Sequence, residues 1–216
     1  EDESAHVAVL TGEGGTFCAG ADLKALSEGD RRPVRDEGPG PMGPTRLELK
    51  KPVVAAMEGH AVAGGLELAL WCDLRVAATD AVLGVYCRRF GVPLVDGGTV
   101  RLPRLIGQSR ALDLILTGRG VSGAEALEMG LVNRLAQPGR ALEVAVDLAT
   151  ALSSLPQTCM RNDRRSVLGQ WGRSEAEAMT NEATLGRATI SSGETAEGAL
   201  RFTSGSGRHG APVTPS

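Results

Sequence analysis

The sequence predicts an α/β fold, and three features of its 216 residues support this prediction. Short apolar runs of strand length alternate with longer stretches of helical pattern, an order that is typical of α/β proteins. Two of the apolar runs lead through turns of alanine and glycine directly into a helix. Beyond these, residues 139–203 have helical patterns throughout. We therefore expect an α/β core over 1–138, a helical region over 139–203 and a disordered tail, rich in Gly, Ser and Pro, over 204–216.

The first strand-turn-helix unit lies close to the start of the sequence. His6–Leu10 is apolar enough for a strand, and the glycine-rich residues 11–16 predict a turn after it. Residues 17–26 then pass from small side chains, Ala19-Gly20-Ala21, into a helical pattern. Residues 27–44 are rich in Gly, Pro and charge, which predicts a surface loop that is mobile or ordered by ligand.

The second unit repeats this design. Pro52–Met57 predicts a buried strand, and Gly64 and Gly65 open the helix that follows. The first N–H groups of a helix have no partner within it, so such a turn is able to hold an anion or a polarised carbonyl. Two turns of this kind would each aim one backbone N–H at the same oxygen, which is how a two-donor oxyanion hole is built. Alternatively, both turns use small residues only because the helices pack closely on the strands.

Glu67 is the only charged residue between His60 and Cys72. Its helix is otherwise apolar on all sides, which predicts burial. Burial would raise the pKa of Glu67, whereas its place in the first helical turn would lower it, and the sequence does not decide between the two effects. A carboxyl group one turn from exposed backbone donors has the layout of a general acid/base beside an oxyanion site. The alternative is a structural Glu that the helix dipole stabilises.

The remaining elements continue the alternation. Residues 73–78 and 81–84 predict strands, and 100–106 and 109–116 predict helices separated by Gly107. Ser122 and Glu125 have the spacing of a capping box for a helix that ends before Gly130, and a last strand is predicted over 131–135. The helical region contains four predicted helices, over 139–154, 156–170, 174–191 and 193–203.

Composition narrows the possible functions. A net charge of −3 with interspersed signs does not favour binding to nucleic acid or to an anionic membrane. The four cysteines are far apart and form no CxxC pair, which argues against a zinc site or a disulfide framework and favours a reducing, cytoplasmic setting. No apolar run approaches the ~20 residues that a membrane-spanning helix needs.

Taken together, these segments resemble the crotonase, or enoyl-CoA hydratase/isomerase, superfamily over nearly the whole chain. The resemblance implies a spiral of ββα units whose C-terminal helices assemble homotrimers or hexamers. It also implies that the first strands and first helix of the family precede the start of this sequence. The segments that carry it are 16–23, 51–56 with Gly59–Leu70 and Cys72-Asp73, 97–102, and 116–118 with 130–132.

The resemblance also implies a ligand and a site. The ligand would be an acyl-CoA thioester, with no metal and no separate cofactor because coenzyme A is part of the substrate. The N–H groups of Ala21 and Gly64 would form the oxyanion hole, and Glu67 would be one of two catalytic carboxylates. Residues predicted to contact the substrate are Ala19, Ala21, Asp22, Leu23, Gly64 and Cys87.

One departure from the family pattern concerns the chemistry. The second catalytic Glu of the family falls at Cys87, and a thiol with an ordinary pKa of ~8.5 is a poor substitute for a carboxylate. The nearest spare carboxyl group is Asp96, which resembles the Asp that dienoyl-CoA isomerases place before their Gly-Thr. Its alternative reading is a helix N-cap.

Three functions therefore remain open from the sequence. The first is an acyl-CoA lyase that hydrates 2-enoyl-CoA thioesters. The second is an enoyl- or dienoyl-CoA isomerase that uses Glu67 and Asp96. The third is a non-catalytic acyl-CoA binding protein that has kept the pocket and lost the chemistry.

Overall fold

Seven strands and nine α-helices make up the described part of the chain in this computed structural model, which covers residues 2–29 and 33–207. The predicted α/β class is confirmed. The strands are β1 (Ala8–Thr11), β2 (Val53–Met57), β3 (His60–Val62), β4 (Leu74–Ala78), β5 (Val82–Gly84), β6 (Gly120–Ser122) and β7 (Arg134–Ala136).

The larger sheet has the order β1-β2-β4-β7, and all of its strand pairs are parallel. Every residue of β2, one of the two inner strands, is buried, as expected for a parallel strand covered on both faces. The continuous apolar sequence of β2 is the pattern that such burial produces. The predicted strand over 131–135 lies slightly later, because the N–H groups of Leu131 and Val132 bond to Ala126 O and finish the preceding helix instead.

The smaller sheet has the order β3-β5-β6, with β3 and β5 parallel and β5 and β6 antiparallel. Its strands β3 and β6 are three residues each and were not predicted. A parallel bridge between Cys18 and Ala61 joins the first turn to β3. This bridge brings the two strand-turn-helix units side by side.

The helices follow the predicted positions to within a few residues. Two 3₁₀ helices, at Pro44–Arg46 and Tyr86–Phe90, were not predicted. The α-helices are α1 (Leu23–Ser27), α2 (Gly64–Trp71), α3 (Gly98–Ile106), α4 (Gln108–Thr117), α5 (Gly123–Glu128), α6 (Ala141–Ser153), α7 (Gln157–Gly169), α8 (Glu175–Ser191) and α9 (Glu194–Thr203).

The described residues divide into two compact units at the C-terminal part of α6, with Ala8–Ala149 in one unit and 2–7 with 150–207 in the other. In the second unit, α7 packs on α8 and α8 on α9. Both carboxylate oxygens of Glu194 accept N–H groups from the first turn of α7, at Thr158 and Cys159. Of the predicted tail, 204–207 form turns after α9, and 208–216 lie outside the described residues.

The predicted loop over 27–44 overlaps the last residue of α1 and the first of the 3₁₀ helix at Pro44–Arg46, and its described residues between these contain no helix or strand. Its far end is not a free surface. Gly40 and Thr45 are buried, and a hydrogen bond from Gly43 N–H to Gly40 O closes a tight turn between them. Within the described ranges, no helix is both long and apolar enough to cross a bilayer.

Candidate active site

A cavity of about 640 Å³ opens beside the two strand-turn-helix units, within the volume range of sites for small ligands. Its walls come from the first turn with α1, the second turn with α2, the 3₁₀ helix at Tyr86–Phe90 and the segment that precedes α3. Every residue predicted for the site lines this cavity: Ala19, Ala21, Asp22, Leu23, Gly64, Glu67, Cys87 and Asp96.

The two glycine turns approach each other at the cavity wall. A Cβ on Gly20 would lie 2.8 Å from the backbone nitrogen of Gly64, and Gly20 has a φ of +84°. A Cβ on Gly65 would overlap the carbonyl of Cys18. Close packing, the alternative reading of these turns, is therefore what requires glycine at positions 20 and 65.

The packing also leaves two backbone donors without partners. Among the described residues, no hydrogen bond is donated by the N–H of Ala21 or of Gly64. Ala63, immediately before α2, has φ 54° and is the one non-glycine with a positive φ in the described ranges. Such a conformation costs on the order of 1–3 kcal/mol and is typical of functional sites. Here it sets the direction of the first N–H groups of α2.

The other residues of the first turn have simpler roles. The side chain of Asp22 caps α1, because its Oδ1 accepts hydrogen bonds from the N–H groups of Lys24 and Ala25. Ala19 and Ala21 are exposed, and Leu23 is 41% exposed at the start of α1. This side of the cavity thus presents backbone and apolar surface.

Glu67 is 2% exposed, in the first turn of α2. Its Oε1 accepts hydrogen bonds from the N–H groups of Asp96 and Gly98, each at 2.8 Å, and so satisfies the N-terminus of α3. Burial raises the pKa of Glu67 above its usual 4.5, and these backbone donors oppose the shift without cancelling it. The effect that the sequence left undecided is thereby resolved in favour of burial. A carboxyl group with a raised pKa is suited to carrying a proton.

Asp96 is 3% exposed and does not cap α3. The N-cap of α3 is Gly97, in a left-handed conformation, and the side chain that accepts N–H groups at this helix end is Glu67. The N-cap reading of Asp96 is therefore wrong. Instead, Oδ1 of Asp96 accepts a hydrogen bond from Met42 N–H at 3.1 Å and another from the hydroxyl of Thr45.

Cys87 lies in the 3₁₀ helix and is 6% exposed. Burial, together with the nearby charge of Glu67, raises the pKa of its thiol. A thiol with a raised pKa stays protonated near neutral pH and is a poor base. The cavity wall therefore contains two buried carboxyl groups, Glu67 and Asp96, and a protonated thiol.

Three residues around Asp96 were not identified from the sequence. They are Met42, which lies in the predicted loop, Thr45, which follows it directly, and Arg101. Met42 and Thr45 are more than fifty positions before Asp96. The guanidinium of Arg101 donates hydrogen bonds to two backbone carbonyl oxygens, that of Asp96 at 2.9 Å and that of Thr45 at 2.6 Å. No motif marks the contacts of Met42 and Thr45, because these join segments that are remote in the sequence. Among the described residues there is also no group of three His, Cys, Asp or Glu side chains suited to hold a metal ion.

Several known proteins are similar to this chain in sequence. A family profile described as enoyl-CoA hydratase/isomerase matches residues 1–205. The chain is 36% identical over 208 residues to enoyl-CoA hydratase EchA19 of Mycobacterium tuberculosis, a match that spans 93% of this chain and 77% of the relative. It is 38% identical over 150 residues to mevalonyl-coenzyme A hydratase sidH of Aspergillus fumigatus, over 68% of this chain and 56% of the relative.

A solved crystal structure is also similar to this chain. The crystal structure of enoyl-CoA hydratase EchA1 from Mycobacterium marinum superposes with a TM-score of 0.85 at 37% identity, covering 96% of this chain and 79% of that one.

Proposed function

The chain belongs to the enoyl-CoA hydratase/isomerase family, and on that premise we propose that it is an acyl-CoA lyase that adds water to 2-enoyl-CoA thioesters. Both the family and the crotonase-type fold that the sequence predicted are confirmed. The observation that carries the proposal is the pair of buried carboxyl groups, Glu67 and Asp96, in the wall of a cavity that also contains two unpaired backbone donors.

In the proposed reaction, the thioester oxygen accepts hydrogen bonds from the N–H groups of Ala21 and Gly64. Negative charge develops on this oxygen as the thioester becomes an enolate. Donors already fixed in position stabilise such a charge by about 3–4 kcal/mol each in other oxyanion sites. Support for this role comes from the close approach of Gly20 to Gly64 and from the conformation of Ala63.

The two carboxyl groups share the proton transfers. The oxygen of water bonds to Cβ while the Cα–Cβ π electrons move toward the thioester oxygen. One carboxylate takes a proton from the attacking water, and one carboxyl group gives a proton to Cα. Glu67, whose pKa burial raises, and Asp96, whose Oδ1 accepts two hydrogen bonds, divide these two roles.

The residues that line the cavity also suggest how the substrate binds. We assign the segment Ala19–Leu23 to the coenzyme A part of the substrate and Cys87 to contact with its acyl part. The exposed, mainly apolar surface of the first turn fits the former, and the buried thiol fits the latter. Addition of water changes no oxidation state overall, so the proposal includes no redox cofactor, and it includes no metal because backbone donors polarise the thioester.

We also propose that the C-terminal helices assemble a homotrimer or hexamer. Apolar side chains on α8 and α9 are exposed in the single chain, namely Met179 62%, Ile190 65%, Leu200 70% and Phe202 57%. Burial of such surface between subunits is a common driving force for assembly.

A reducing, cytoplasmic location fits the four cysteines, none of which is in a disulfide.

The function is tested by turnover of crotonyl-CoA and longer 2-enoyl-CoA substrates. We expect loss of the conjugated double bond and formation of a 3-hydroxyacyl-CoA, identified by mass as substrate plus one water. Binding of acyl-CoA without any turnover would contradict the proposal and favour the binding protein.

One observation favours a second candidate, an isomerase that uses Glu67 and Asp96. Cys87 occupies the position of the family's second Glu, and its thiol stays protonated, so the usual pair of hydratase glutamates is absent. An isomerase would convert 3-enoyl-CoA to 2-enoyl-CoA without a change in mass and would leave crotonyl-CoA unchanged. Assays of both substrates therefore separate the two reactions.

A further inference from the structure

We propose that Thr45 is a positioning residue for this reaction, which holds one carboxylate oxygen of Asp96 so that the other is left for the substrate. This inference rests on the proposed role of Asp96. It assigns a function to the 3₁₀ helix at Pro44–Arg46, which follows a loop that the sequence alone describes as surface.

The contact between Thr45 and Asp96 is deeply buried. Thr45 is 0% exposed and Asp96 is 3% exposed. The hydroxyl of Thr45 and the N–H of Met42 both donate to Oδ1 of Asp96, and within the described ranges Oδ2 has no hydrogen bond. A buried carboxylate bound through one oxygen has a fixed orientation, and Asp96 lines the cavity. Oδ2 is therefore the oxygen available for proton transfer.

The segment around Thr45 is shaped to make this contact. Gly40 packs directly against the hydrogen bond between Thr45 and Asp96. A Cβ on Gly40 would overlap both Thr45 Oγ1 and Asp96 Oδ1, so only glycine leaves room for this contact. The side chain of Met42 extends toward the other half of the site, where its Sδ would lie 2.8 Å from a Cβ on Gly64. One short segment thus contacts Asp96 through its backbone and hydroxyl groups and the second turn through a thioether.

Arg101 joins the same two residues a second time. Its guanidinium spans the carbonyl oxygens of Asp96 and Thr45, and burial lowers its pKa. Because Arg101 bonds to backbone atoms of both residues, removing the Thr45 hydroxyl leaves the two segments connected. Substitution of Thr45 therefore isolates the effect of the hydroxyl on the Asp96 carboxylate.

The test is a double-mutant cycle that combines Thr45→Val with Asp96→Asn, with kcat and KM measured on crotonyl-CoA. We expect Thr45→Val to lower kcat about tenfold with little change in KM, because it misplaces a catalytic group without removing a substrate contact. In the Asp96→Asn background, the same substitution should lower kcat by less than about twofold, because the group that Thr45 positions is already absent. The Thr45→Ser variant, which keeps the hydroxyl, should retain most of the wild-type kcat.

Thr189→Val is the matched control. Thr189 is also a buried threonine, 7% exposed, whose hydroxyl donates to Leu185 O and accepts from Asn162, remote in sequence from the site. Its loss should lower the Tm as Thr45→Val does but leave kcat unchanged.

The outcomes separate this inference from the proposed function. If Asp96→Asn keeps the wild-type kcat, the role of Asp96 itself is wrong. If Asp96→Asn is slow, two results overturn the positioning role of Thr45: a Thr45→Val variant with wild-type kcat, or an equal loss from Thr45→Val in both backgrounds. A Thr45→Ser variant whose kcat is as low as that of Thr45→Val would also overturn the positioning role of Thr45.

Discussion

The two strand-turn-helix units that meet at the cavity have the same sequence pattern and very different surroundings. The first unit ends in α1, a five-residue helix with no buried residue, held at its start by the exposed cap Asp22. The second unit ends in α2, where five of eight residues are buried. We therefore assign to the first unit a backbone donor and apolar contacts, and to the second unit a backbone donor and a carboxyl group whose pKa is raised by burial.

The largest effect is expected in the second unit, for Glu67→Gln. The amide is close in size to the carboxyl group and is still able to accept the N–H groups of Asp96 and Gly98, so the fold should persist. It carries no transferable proton, and we expect kcat on enoyl-CoA to fall by about 10²–10⁴-fold, the usual contribution of a general acid or base. Affinity for a saturated acyl-CoA, measured by calorimetry, should change by no more than a few-fold. A variant that turns over at the wild-type rate rules out proton transfer by Glu67.

In the first unit, Gly20→Ala should have the next largest effect. The new methyl group would press on Gly64 N and on Ala63 Cβ, at 2.8 and 3.0 Å, and so displace one proposed donor. We expect a loss of about 10²-fold in kcat, comparable to the removal of one oxyanion donor in other enzymes.

Gly14→Ala is the control for this substitution. Gly14 also has a positive φ, +67°, but nothing lies within 4 Å of its Cβ position. It should suffer the same backbone strain and keep its activity. Equal losses of kcat in the two variants would mean that strain in the loop, rather than the contact with Gly64, determines the result.

The parts of the site that the sequence predicts are those that depend on local sequence. Spacing and residue type located both turns, Glu67 and its burial, because each depends on neighbours within a few positions. The environment of Asp96 was not predictable in this way, since Thr45 reaches it across fifty-one positions of sequence and Gly97 takes the N-cap of α3. The strand β3 was missed because its three residues lie in the stretch of small residues between β2 and α2, which has the pattern of a turn.

A smaller effect should appear in the pH dependence of stability. Burial raises the pKa of Glu67 above 4.5 in the folded protein, so over an interval above that pH the folded chain holds a proton that the unfolded chain has lost. The stability of the wild type should therefore decrease relative to Glu67→Gln as the pH rises from 4.5 through the folded-state pKa. Below 4.5 the difference between the two should be constant. Urea unfolding at a series of pH values measures it, and a difference that stays constant throughout would contradict the raised pKa.

The smallest effect is expected for Cys87→Ala. Its thiol is protonated because burial raises its pKa, so it takes part in no proton transfer in our account. We expect kcat on crotonyl-CoA to stay within about twofold of wild type, with a larger change in KM if the cavity left by the sulfur weakens acyl contacts. A large loss of kcat would instead make Cys87 the working partner of Glu67.

Cooperation between Glu67 and Asp96 is tested most directly by the kcat of Asp96→Asn on the same enoyl-CoA, measured together with acyl-CoA affinity and Tm. The amide remains an acceptor for Met42 N–H and for the Thr45 hydroxyl, so the cavity wall should be preserved. We expect kcat to decrease by at least ~100-fold while the affinity for acyl-CoA stays nearly unchanged. A variant that is less stable but fully active would contradict this expectation and would leave Asp96 with a purely structural role.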